Sequence, residues 1–145
     1  MNNETENTNT VDVLPLLAKF IRQRPGLEYG NYGDVKAYRA ELRGITADLH
    51  AAEKLLNYAG IFSGVREYVN RELSDRGGRL QYNAASNSLE YCTGQYWPTE
   101  YRRAAANLLA SAIWAYWRDC GYSGQAMREQ ARREFGRGIA ARFFN

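Results

Sequence analysis

A mainly α (α+β) domain, a bundle of about five helices with one β-hairpin, is the fold class that the sequence predicts. Three observations lead to it: apolar residues recur at steps of three and four through most of the chain, the period shortens to two over one central stretch, and glycines and prolines punctuate the segments between. A chain of 145 residues that is 45% hydrophobic and 24% charged can bury one core without disulfides or a metal. Residues 1–10, rich in Asn, Thr and Glu, read as a disordered N-terminal tail. Residues 11–145 read as a single helical domain with the hairpin near 79–93.

Asp12 is placed to cap a first helix with Val13, Leu14, Leu17, Phe20 and Ile21 on one side, ended by Pro25-Gly26. Leu27 to Gly33 reads as a connector, and Asp34 offers the next cap. The second helix has the clearest periodicity: Val35, Tyr38, Leu42, Ile45, Leu49, Ala52, Leu56 and Ala59 form a heptad stripe. Such a stripe needs a partner helix. An intramolecular bundle is favoured over a coiled-coil dimer seam, because Gly44 and Ala52 weaken an isolated coil.

Gly60 to Gly64 is expected to break the chain before a third helix with Ile61, Val65, Tyr68, Val69 and Leu73 on one face, closed by Gly77-Gly78. Leu80 and Tyr82, then Leu89 and Tyr91, alternate with polar residues around Ala84 to Asn87, the pattern of two strands and a tight loop. A lone hairpin is marginal in water, so its apolar face must lie on the helices or join a third strand. Pro98-Thr99-Glu100 starts a helix expected to run to about Asp119 and to pack on the heptad helix. Ser123 caps a last helix with Met127, Ala131, Phe135, Ile139 and Phe143 at intervals of four.

Several function classes lose their footing at this level. No apolar run approaches the roughly 20 residues of a membrane span, and the acidic opening lacks the basic and apolar regions of a signal peptide. Cys92 and Cys120 are the only cysteines and form no Cys-x-x-Cys pair, so free thiols in a reducing cytosol are expected. His50 is the single histidine and sits beside the heptad stripe, with no second ligand or base near it in sequence. The acids, Asp48, Glu129 and Glu134 among them, read as solvated charges, with Glu129 and Arg133 spaced for a helix-surface pair. No catalytic residue, metal ligand or cofactor site is assigned, and the expectation is that the protein is not an enzyme.

Charge is distributed unevenly. From Pro98 onward eight arginines face four acids, although the whole chain carries only +3. Arg102, Arg103, Arg128, Arg132, Arg133 and Arg137 are the candidates for meeting an anion; at about 100° per residue Arg128 and Arg132 flank the apolar stripe of the last helix while Arg133 and Arg137 project to the far side, and Arg102 and Arg103 from the neighbouring helix could complete a patch. Arg76-Gly77-Gly78-Arg79 has the look of an RNA-binding RG element, but a helix C-cap leading into the hairpin explains the same residues. Tyr96 and Trp97, between hairpin and helix, are the best surface anchors, since such rings supply large contact area at low entropic cost.

The stretches Tyr91-Cys-Thr-Gly-Gln-Tyr-Trp-Pro-Thr-Glu-Tyr-Arg102 and Arg133-Glu-Phe-Gly-Arg-Gly-Ile-Ala-Ala-Arg142 resemble segments of small accessory proteins from bacteriophages and other mobile elements, most of them without an assigned activity. The resemblance covers the C-terminal half and carries no functional residues. It implies a non-enzymatic protein, cytoplasmic in a host bacterial cell, that binds and inhibits a host defence complex such as CRISPR–Cas, as anti-CRISPR inhibitors do. The expected partner is a host protein or ribonucleoprotein complex, met by a monomer or homodimer. The alternative is a nucleic-acid-binding accessory protein using the C-terminal arginine patch.

Overall fold

Residues 12–22, 35–75, 80–91 and 98–145 are described by the computed structural model. Their elements run α1 (Leu14–Arg22), α2 (Val35–Ile61), α3 (Ser63–Asp75), β1 (Leu80–Asn83), β2 (Ser88–Tyr91), α4 (Pro98–Asp119), α5 (Gly124–Phe135) and α6 (Arg137–Phe143). The expected mainly α class with one hairpin is what these residues form. The N-terminal tail, Pro25-Gly26, the connector Leu27 to Gly33, Asp34 and Arg76 to Arg79 lie outside the described residues.

Helix starts follow the capping chemistry. The Asp12 carboxylate accepts from Leu14 N–H at 3.2 Å, and the Ser123 hydroxyl accepts from Ala126 N–H at 3.1 Å. Val13, Leu14, Leu17, Phe20 and Ile21 are all buried, which seats α1 among α2, α3 and α4. The largest helix interface joins α2 to α4, as the width of both apolar faces requires.

The heptad stripe of α2 is covered over its C-terminal half. Ala52, Leu56 and Ala59 are buried, whereas Val35 and Leu42 are 44% and 39% exposed. The core side is broader than the heptad, for Ala51, Leu55 and Tyr58 are buried as well.

α2 stops at Ile61, and Phe62 joins it to α3. Val65, Val69 and Leu73 enter the core as expected, while Ile61 does not, being 74% exposed. The two strands pair antiparallel in the register Leu80↔Tyr91 to Asn83↔Ser88, so the loop is Ala84 to Asn87. The Asn83 side chain accepts from Ala85 N–H at 2.9 Å, and Asn87 takes the left-handed φ of +51° that asparagine tolerates. Leu80 is buried against helices; within the described residues the sheet has two strands.

The expected last helix is divided in two. Gly136, at φ +92°, ends α5, and the chain restarts as α6. This break shifts the phase of the apolar stripe: Met127, Ala131, Phe135 and Ile139 are buried as expected, but Phe143 is half-buried and Phe144, one residue on, takes the interior place at 2% exposure.

Candidate functional site

An aromatic column runs through the end of the bundle where α2, α4, α5 and α6 meet. Trp117 of α4 lies edge-on to Tyr58 of α2, with ring centres 5.8 Å apart, and stacks on Phe144 at 5.8 Å. Phe135 of α5 stacks on Phe144 at 5.5 Å and meets Tyr58 at 5.4 Å. Each such ring pair is worth about 0.5–1.5 kcal/mol beyond its buried area, so the column fixes four helices at one point. Trp117 donates its indole N–H to the Tyr58 hydroxyl at 2.8 Å, which satisfies both buried polar tips. Burial raises the Tyr58 hydroxyl above its ordinary pKa, the indole hydrogen bond pulling the other way.

Three large apolar side chains stand outside this column. Phe62 meets Tyr58 at 4.5 Å and is 39% exposed; Tyr122 stacks on Trp117 at 6.3 Å and is 40% exposed; Ile61 adjoins Phe62. They come from the α2–α3 junction and the α4–α5 turn, two loops set side by side by the Tyr58–Trp117 contact. Exposed rings backed by buried rings are pre-positioned, so a partner meets them at little conformational cost.

Beside this patch, α3 closes tightly on α4. A Cβ at Gly64 would collide with the edge of the Tyr116 ring, so glycine allows that approach and a larger residue would force the ring to shift. The Tyr68 hydroxyl donates to the Asp119 carboxylate; this bond raises the tyrosine and lowers the carboxyl relative to their ordinary pKa values. Cys120 is exposed with a free thiol, and its proximity raises the Tyr116 hydroxyl. Whether Cys92 approaches it lies outside the described residues.

The arginines expected to form one interaction surface are separated. Arg102 is buried and donates to the Ile21 carbonyl at 2.8 Å, which ties α4 to the end of α1 and removes this side chain from the surface. Arg103 reaches the Asp48 carboxylate at 3.3 Å. Arg128, Arg132, Arg133 and Arg137 are exposed on α5 and α6. The Glu129–Arg133 pair expected from spacing does not form; Arg133 donates instead to Gln130 at 2.6 Å, and Gln130 to Glu134 at 3.0 Å. Tyr96 and Trp97 lie outside the described residues.

Asp48 corrects the reading of the acids as solvated. It is fully buried, held by Arg142 of α6 and Arg103 of α4. The signal was present, since 45, 48, 52, 55 and 59 continue the three-and-four spacing of the core face, and a carboxylate on that line must find cations. His50 is exposed, as expected. Trp114 is half-buried where Trp117 is buried, as their offset on α4 requires. Among the described residues no group of three or more His, Cys, Asp or Glu side chains could hold a metal ion, and no helix is long and apolar enough to cross a membrane. No family model matches the chain, and neither a curated protein nor a solved structure is similar to it.

Proposed function

We propose that the protein is a non-enzymatic binding protein that docks on a host protein or ribonucleoprotein complex and blocks it, as some small accessory proteins of phages and mobile elements do, with CRISPR–Cas as the leading target class. The observation that carries this reading is the exposure of Ile61, Phe62 and Tyr122 together at one end of the bundle, on a rigid aromatic support. Rings and branched aliphatics held in this way make the anchors of protein interfaces, whereas phosphate recognition asks for clustered cations.

The second reading, nucleic-acid binding by C-terminal arginines, draws support from Arg128, Arg132 and Arg137, which make no ion pair among the described residues. Affinity capture by the tagged protein from phage-infectable bacterial lysate, with and without nuclease, separates the two. The first reading predicts retention of a defined protein complex after nuclease treatment, with loss of that retention in the Tyr122→Ser variant. Complete loss on nuclease treatment alone would put the second reading first.

A further inference from the structure

We propose that the solvent face of α2 is a docking strip for the phosphate backbone of a double-stranded nucleic acid. This inference rests on other residues than the aromatic patch and does not depend on it. Lys36, Arg39, Arg43, His50 and Lys54 are all exposed and, at about 100° per residue, fall within about 60° of arc. Lys36 to Lys54 is a rise of about 27 Å.

The cations of this strip differ from five other arginines of the protein, each of which is neutralised by an acid. Arg22 is paired with Glu53, Arg66 with Asp12, Arg118 with Asp119, and Arg103 and Arg142 with Asp48. Lys36, Arg39, Arg43 and Lys54 make no ion pair among the described residues. The acids of α2 are directed elsewhere: Glu41 and Asp48 fall on the core-facing side, and Glu53 is drawn to α1 by Arg22. A row of like charges without compensating acids is unfavourable for the isolated helix and favourable for a polyanion laid along it.

The spacing selects a duplex over a single strand. The side chains able to donate to phosphate form two groups, Lys36-Arg39-Arg43 and His50-Lys54, separated from Arg43 to His50 by about 10.5 Å of helix rise. That gap approaches the roughly 12 Å width of the major groove, so each group can meet one of the two backbones that border it. Exposed Ala47 lies in the gap, on the same face, where a small side chain permits close approach. The strip itself carries no Phe, Tyr or Trp ring for stacking on unpaired bases, so contact is chiefly with phosphates and independent of sequence. Along its flanks run α5, placed by the Tyr58–Phe135 contact, and α1, placed by Arg22–Glu53.

The test is fluorescence anisotropy of a labelled duplex DNA of about two helical turns with the full chain, as a function of salt. Four phosphate contacts predict a slope of log K against log[salt] of about −3.6, which is about 150-fold between 50 and 200 mM salt. Replacing Lys36, Arg39, Arg43 and Lys54 together by alanine is expected to weaken binding at least tenfold and flatten the slope. Arg39→Gln with Arg43→Gln, which retains helix propensity, is expected to remove about half of the slope. Replacing Arg128, Arg132, Arg133 and Arg137 by alanine is expected to leave binding within about twofold, which separates this strip from the C-terminal arginines. Absence of duplex binding at low salt, wild-type affinity in both α2 variants, or equally tight binding of a single strand or of polyglutamate would overturn the proposal.

Discussion

Asp48 on α2 and Arg142 on α6, 94 residues apart in the chain, form an ion pair whose carboxylate is fully buried while the guanidinium remains 37% exposed. The two partners therefore respond differently to removal. Arg142→Ala leaves a buried charge with Arg103 alone beside it and is expected to cost about 3 kcal/mol, the lower end of the range for a broken buried pair because water reaches this site. Asp48→Ala leaves two cations that can rehydrate and should cost less. Urea unfolding of both variants checks the order; a larger loss for Asp48→Ala would contradict it.

Gly64 and Gly60 stand four residues apart and should respond to alanine with opposite signs. A Cβ at Gly64 collides with the Tyr116 ring, so Gly64→Ala is expected to lose about 1–3 kcal/mol, and Tyr116→Ala should restore part of this by vacating the space. A Cβ at Gly60 meets nothing within 4 Å, and Gly60→Ala in the last turn of α2 should be neutral or stabilising by up to about 1 kcal/mol. Thermal unfolding distinguishes the pair.

Tyr58, Tyr68 and Tyr116 are expected to ionise above the ordinary tyrosine value, Tyr58 chiefly because burial disfavours its phenolate. A pKa raised in the folded state contributes stability that is fully present below about pH 10 and is lost as pH rises through the folded value. Alkaline unfolding should accompany the late phase of the tyrosinate absorbance titration, and Tyr58→Phe should remove one late-titrating group. Titration of all tyrosines in one step near pH 10 in the folded protein would contradict the burial of Tyr58.

Trp117→Phe keeps most of the column but removes the indole N–H donor, leaving the buried Tyr58 hydroxyl without it; the expected loss is about 1–3 kcal/mol. Tyr58→Phe on the Trp117→Phe background should then cost little more, because the hydroxyl it removes has already lost its partner. A double-mutant cycle by chemical denaturation measures this coupling, and simple additivity would contradict it.

Much of the fold was legible because local chemistry and long-range packing agree along most of the chain. The helix from Pro98 to Asp119 starts at a proline and ends where its apolar face runs out, and the loop Ala84 to Asn87 lies where alternation stops. What was not legible depended on contacts between distant residues. The spacing puts Asp48 on the core line, but the cations that compensate it there, Arg103 and Arg142, are 55 and 94 residues away, so its pairing is hidden from residues near it in sequence. Arg102 was read as a surface cation because nothing local marks its bond to the Ile21 carbonyl, 81 residues earlier. The exposed patch was missed for a related reason: Ile61 satisfies the periodicity of α3, but the chain turns at Phe62 and carries Ile61 to the outside.

The central claim is that the protein binds a protein partner through the ring-backed surface at Ile61, Phe62 and Tyr122. Its most direct test is affinity capture from nuclease-treated bacterial lysate at moderate salt, comparing wild type with Ile61→Asp and Tyr122→Asp, both exposed enough to leave the fold intact by circular dichroism. Retention of a defined host complex by the wild type and at least tenfold less by both variants is the predicted result. Equal retention by all three, or its loss from the Arg128, Arg132, Arg133 and Arg137 alanine variant instead, would contradict the assignment of this surface.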